Sequence, residues 1–121
     1  MPKTQVIIYQ ESEGDVPLLD WLDELPKKAQ AKCIARIERL AQCGRELRRP
    51  EADYLRDSIY ELRVRMQRVN YRILYTFVGK NVALLTHGLT KERRVPPADI
   101  DLAIERKERF EDDPETHTYE E

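Results

Sequence analysis

The spacing of apolar positions changes along the chain, and each change marks an element. Gln5–Tyr9 (QVIIY) is a short, β-branched apolar run and predicts a strand. A polar stretch, QESEGD, follows, and Pro17 then stands where the first turn of a helix tolerates proline. Leu18, Leu22 and Leu25 recur at i, i+4 and i+7 with Trp21 beside them, which predicts a short amphipathic helix that Pro26 ends. The next helix is expected from about Lys27 to Cys43, with Cys33, Ile34, Ile37, Leu40 and Ala41 on its apolar stripe and Gly44 as its stop. Two helices joined at a proline corner imply a helical hairpin.

Beyond a basic loop the period becomes two. In Tyr60–Met66 (YELRVRM), Tyr60, Leu62, Val64 and Met66 alternate with Glu61, Arg63 and Arg65, the pattern of a half-buried strand with one charged face. Val69–Val78 predicts a second strand, Gly79-Lys80-Asn81 a tight turn and Val82–Thr86 a third strand, together an antiparallel meander. His87 and Gly88 stand at its exit. A basic loop, LTKERRV, leads to Pro96-Pro97, which open a helix with Ile100, Ala103 and Ile104 on its inner face. Helices and strands are segregated rather than alternating, so the fold class is α+β. The expected architecture is an N-terminal strand and helical hairpin packed on a small antiparallel sheet, with a C-terminal helix.

Charge alters this picture in two places. Residues 111–121 (EDDPETHTYEE) hold six acids and no Lys or Arg, which predicts a disordered tail after a domain of residues 1–110. Without that segment, 21 basic residues face 17 acidic ones. From Arg48 to Arg94, eleven basic residues face five acids, and arginine dominates. Arginine presents a planar fork of donors that suits phosphate; the plainer reading is a solvated polar surface.

Other classes of chemistry find little support. With only Cys33, Cys43, His87 and His117, no zinc-binding pattern can be assembled, and no metal or cofactor is expected. The two cysteines lie ten positions apart on one predicted helix, about 15 Å along its axis, too far for a disulfide. No apolar run approaches the roughly 18 residues that span a bilayer. The N-terminal MPKTQVIIYQESEGD is soon interrupted by charge and does not read as a signal peptide, so the cytoplasm is the expected compartment.

The segments SIYELRVRMQRVNYRILYTF and LLTHGLTKERRVPPADIDLAIERK carry a resemblance. With ELRVR, NYRILY and HG-x-x-K-x-x-x-x-P in this order, residues 1–110 resemble HigB-like members of the RelE toxin superfamily, and within it a branch of phage-derived killer proteins. The resemblance implies a type II toxin–antitoxin toxin. Its activity would be metal-independent endoribonucleolytic cleavage of mRNA, typically on the ribosome. Its partners would be mRNA, the ribosome and a cognate antitoxin with a helix-turn-helix DNA-binding domain.

The residues themselves are compatible with that chemistry. When a 2′-OH attacks the neighbouring phosphate, the reaction needs a base, an acid for the leaving 5′-oxygen, and cations for the charge that develops on phosphorus. Arg63 and Arg65 lie two apart and project from one strand face, and Arg72 follows on the next strand. Arg65 and Arg72 match the pair of arginines that, by resemblance, line the active site. His87 is the candidate titrating group, as acid, base or RNA contact, or else a residue that hydrogen-bonds loop backbone. Lys91 joins Arg65, Arg72 and His87 in the candidate catalytic set, although phosphate binding without chemistry is the milder and preferred reading for it and for Arg94. Arg63, Arg68, Arg93 and Arg94 are candidate RNA contacts.

In one respect the chain departs from RelE-type enzymes, which often carry a tyrosine in the C-terminal region. The matching stretch here, PPADIDLAIERK, has none, and Tyr119 lies in the acidic tail, so the base is unassigned. Tyr71 and Tyr75 share a strand face with Ile73 and Phe77 and read as core. The alternative is a non-catalytic RNA- or ribosome-binding module, or an inactive toxin relic, on the same fold. A phage structural protein is a weaker third reading that has no use for a basic sheet face.

Overall fold

The computed structural model describes residues 4–90 and 93–120. Its elements are β1 (Gln5–Ile8), α1 (Pro17–Asp23), α2 (Lys27–Cys43), a single 3-10 turn (Gly44–Glu46), β2 (Ala52–Arg56), β3 (Ile59–Met66), β4 (Val69–Val78), β5 (Val82–Thr90) and α3 (Pro97–Asp112). The α+β class, the helical hairpin and the C-terminal helix are as expected. The sheet is larger than the three-stranded meander read from the sequence. It has five strands in the order β1-β5-β4-β3-β2, with β1 parallel to β5 and every other pair antiparallel.

Strand β2 lay in what reads as a basic loop. Its sequence, ADYLR, shows no alternation, and pairing defines it: Ala52 stands opposite Leu62, Asp53 opposite Glu61 and Tyr54 opposite Tyr60. Two-residue turns close the hairpins on either side of β3. Asp57 and Ser58 lie at φ 50° and 68°, and Gln67 and Arg68 at 51° and 70°. These are the left-handed positions such turns demand, usually marked by Asn or Gly, so neither turn announces itself in the sequence.

Alternation gives the sheet two apolar faces. Leu62, Val64, Tyr71, Ile73 and Tyr75 pack under the hairpin against Leu18, Leu22, Ala29, Cys33 and Leu40. Tyr71 and Tyr75 are therefore core, as their spacing suggested. Ile59, Leu74 and Leu89 point the other way, against Ile100 and Ala103 of α3. Strand β4 is consequently buried on both sides from Tyr71 to Thr76.

A bulge in β5 decides which residues face which layer. Tyr75 pairs with Leu85, but Leu74 pairs with His87, so Thr86 is the extra residue. The bulge turns His87 towards α3 and Gly88 towards α1. His87 thus lies within the strand rather than at its exit. At Gly88 a Cβ would overlap the Trp21 ring, which explains the glycine by close approach rather than by backbone freedom. The Trp21 indole N–H donates to Thr90 Oγ at 3.3 Å and holds that ring in place.

The acidic segment, expected to be disordered, is instead docked as far as residue 120. Thr118 pairs antiparallel with Tyr9, and Tyr119 N–H donates to the Ile8 carbonyl at 2.9 Å. The His117 ring stacks on Tyr9, with 5.2 Å between centroids, and its Nδ1 donates to the Gln10 carbonyl at 2.7 Å. Strand β1 has β5 on one side only, and the segment satisfies part of its other edge. Acidic composition suggested disorder because composition does not register an unpaired strand edge.

Two stability outcomes follow. Gly88→Ala is expected to destabilise the domain by about 1–3 kcal/mol, because the indole must leave its packed position; urea melts measure it. Deleting residues 113–121 removes the Tyr9 stack and two edge contacts. A lower melting temperature is expected, and an unchanged melt would show that the docking is energetically idle.

Candidate active site

The candidate arginines fall on the α3-facing side of the sheet, at the end that α3 leaves open. Along β3, Ile59 and Glu61 are buried, Arg63 is half-buried and Arg65 is exposed. Arg72 pairs directly with Arg63, and Arg65 pairs with Asn70. Register therefore brings Arg63, Arg65 and Arg72 to one face, as alternation required. They line a cleft of about 330 Å³ at the end of the sheet together with Arg36, Pro50, Glu51 and Asn70, and with Val64 and Tyr71 of the hairpin-side layer.

Two of the arginines differ sharply in environment. Arg72 is only 7% exposed. Its Nη1 lies 3.1 Å from Glu61 Oε1, and its Nη2 donates to the Arg93 carbonyl. The ion pair is close but poorly aligned: Glu61 Oε1 and Arg72 Nε are buried without a hydrogen-bond partner among the described residues. Burial pushes the Glu61 carboxyl above its usual range, although Arg72 and Arg63 pull it down. Arg65, by contrast, makes no ion pair among the described residues and is open to an incoming anion.

Arg36, Glu51 and Glu61 were not singled out from the sequence. Arg36 reaches across from α2, where its Nη1 donates to the Arg63 carbonyl at 2.6 Å. Glu51 receives both nitrogens of the Arg39 fork at 2.9 Å, and that hydrogen bonding holds its carboxyl below the usual range. No local signal marks these two, since their neighbours are distant in sequence. Glu61 was visible as the one acid on the charged face of β3.

The remaining candidates divide. Arg68 is exposed at the tip of the β3–β4 turn, and Arg93 and Arg94 are exposed on the segment that Arg72 tethers. Lys91 lies outside the described residues. His87 is not brought to the cleft. Its side chain is 8% exposed and bridges the β5 bulge to the first turn of α3, with Nε2 3.2 Å from Asp99 Oδ1 and Nδ1 3.1 Å from Thr86 Oγ. A carboxylate only accepts, so Nε2 carries a proton, while Nδ1 lies against the Thr86 hydroxyl, which itself donates to the Leu74 carbonyl at 3.3 Å. Both nitrogens are engaged within the strand, the arrangement expected of the hydrogen-bonding alternative.

Residues 20–108 match the family described as phage-derived protein Gp49-like (DUF891). The chain belongs to this family. The matched span starts in α1, ends in α3 and includes every residue that lines the arginine cleft. Strand β1 and the docked C-terminal segment of this Gp49-like chain lie outside it. No curated protein matches the chain. Among the described residues of the Gp49-like chain, no helix is long and apolar enough to cross a membrane, and Cys33 and Cys43 are both free.

Burial lowers the His87 pKa, with help from Arg106, while Asp99 opposes the shift. The folded Gp49-like chain therefore resists protonating this ring more than the unfolded chain does. Stability from this source is complete above pH of about 6.5 and falls as pH drops through the lowered value. Urea melts between pH 5 and 7 are expected to show that acid-side loss, and His87→Gln is expected to flatten it.

Proposed function

We propose that this Gp49-like protein is the toxin of a type II toxin–antitoxin pair, a RelE-type, metal-independent endoribonuclease. It would act in the cytoplasm on mRNA, held on the ribosome. The observation that carries this reading is the convergence of Arg63, Arg65 and Arg72 on one cleft. Membership of a phage-derived family and the resemblance of ELRVR, NYRILY and the HG-x-x-K segment to HigB-like toxins support it.

In the proposed reaction the 2′-oxygen bonds to phosphorus and the bond from phosphorus to the 5′-oxygen breaks. A proton leaves the 2′-OH, and another is delivered to the 5′-oxygen. Arg65 and Arg63 contact the phosphate, and Arg72, held by Glu61 and the Arg93 carbonyl, is already oriented before substrate arrives. Lys91, Arg68, Arg93 and Arg94 extend the contact to flanking phosphates. His87 serves by anchoring α3 to the sheet. A cognate antitoxin with a helix-turn-helix domain would silence the site by laying an acidic segment over it.

The second reading is a non-catalytic RNA- or ribosome-binding module. One observation favours it: the carboxylate that lines the cleft, Glu51, is tied up by Arg39 and held ionised. No proton-transfer group is thereby assigned.

Cleavage of a translated mRNA by wild type and variants with recorded melting curves separates the readings. Arg65→Ala is expected to lower cleavage by about 10²–10³ and to shift stability by no more than about 0.5 kcal/mol. Arg72→Ala strands the buried Glu61 carboxylate and is expected to cost about 3–5 kcal/mol. The double replacement Glu61→Leu with Arg72→Met removes both charges, so it is expected to recover the melt but not the cleavage. Undiminished cleavage by Arg65→Ala would take this residue out of the site. No cleavage by wild type, with or without ribosomes, would leave the binding-module reading.

A further inference from the structure

A second and larger cleft, of about 540 Å³, opens between the 45–49 segment and the edge strand β2. Its lining shares no residue with the arginine cleft. Tyr54 pairs with Tyr60, and Tyr60 packs with the hairpin-side core. The floor is apolar, formed by the buried side chains of Leu47 and Ala52. A pocket of this size accommodates a small organic group.

Its walls combine a ring with guanidinium groups. Tyr54 is 53% exposed, and among the large apolar side chains of the described residues only Ile34 is comparably exposed. Its ring is fixed from two directions. It meets Tyr60 edge-on at 5.0 Å, and its hydroxyl accepts from Ser58 N–H at 3.1 Å. Arg45 is held over Phe77 at 4.3 Å while donating to the Gly79 carbonyl. Arg49 is paired with Asp53 at 2.7 Å. Arg48 is exposed and has no ion pair among the described residues. The cleft is thus a positioned aromatic face beside one uncommitted arginine and a surplus of positive charge.

We propose that this cleft binds one nucleotide of single-stranded RNA, with the base stacked on Tyr54 and its phosphate on Arg48. Every base has a π-face that stacks on an aromatic ring, and guanidinium groups complement the backbone. An acidic peptide would use the arginines but would leave the fixed ring without a function. The two clefts adjoin through a short stretch of chain: Arg48 and Arg49 line this one, and Pro50 and Glu51 line the other. A strand seated on Tyr54 therefore continues past Pro50 and Glu51 towards Arg63 and Arg65. The inference takes from the proposed function only that the ligand is RNA.

Affinity of the full-length protein for a short fluorescein-labelled oligouridine, read by anisotropy, tests it. Tyr54→Ala is expected to weaken binding by about five- to a hundredfold, the usual range for one stacked base. Tyr54→Phe keeps the ring and is expected to bind like wild type. Arg48→Ala is expected to weaken binding and to reduce the salt slope by about 0.7. Polyphosphate, which has no bases, is expected to bind Tyr54→Ala as it binds wild type. Unchanged RNA affinity in Tyr54→Ala overturns the proposal, as does an equal loss with polyphosphate. Binding of oligoglutamate but not of RNA would also overturn it and assign the cleft to an acidic protein partner. The assay measures binding alone, so it separates from the cleavage test: loss of affinity in Tyr54→Ala stands even if wild type cuts nothing.

Discussion

The Arg72 guanidinium and the Glu61 carboxylate are buried side by side within the sheet, 3.1 Å apart. Charges removed from water must find partners, and a partner lost there costs more than the pair contributes. The local geometry follows from that demand. Glu61 and Arg72 meet only in the register that also sets Arg63 opposite Arg72. The second half of the Arg72 fork takes the Arg93 carbonyl and ties the segment after β5 to the neighbourhood of the cleft. One buried pair thereby connects strand register, loop placement and the shape of the arginine cleft.

That pair marks the border between two kinds of cover. The hairpin-side face is packed along β3 and β4 by Leu62, Val64, Tyr71, Ile73 and Tyr75. On the opposite face α3 covers Ile59, Leu74 and Leu89, and beyond them the side chains become polar and exposed. Apolar burial stabilises by roughly 25 cal/mol per Å², so α3 settles over the apolar patch and leaves the arginine end to solvent. His87 reinforces that placement by joining the β5 bulge to Asp99 in the first turn of α3.

A chain of net charge −2 offers a basic surface because its acids in this region are neutralised locally. Glu51 is tied to Arg39, Asp53 to Arg49, Asp57 to Arg56 and Glu61 to Arg72. Arg48, Arg63, Arg65 and Arg68 are left without ion pairs among the described residues. Counting charges along the sequence finds the same excess but cannot say which arginines keep their charge available. Pairing answers that, and it separates exposed Arg65 from buried Arg72, which the sequence treated alike.

Much of the fold is legible in the sequence. Apolar spacing located both hairpin helices, β3, β4 and α3, because helix and strand periodicity is a local property of neighbouring residues. Alternation also placed Arg63 and Arg65 on one face and the tyrosines at 71 and 75 in the core. What escaped depends on segments far apart in the chain. Strand β2 exists through its partner β3, the docked 113–120 segment through the open edge of β1, and the face that His87 takes through one extra residue in β5. The sequence by itself determined which residues alternate and where charge accumulates. Only the tertiary structure decided which of them stand opposite one another and which are buried, because pairing, bulges and edge coverage are settled between distant segments and leave no periodic trace in the chain.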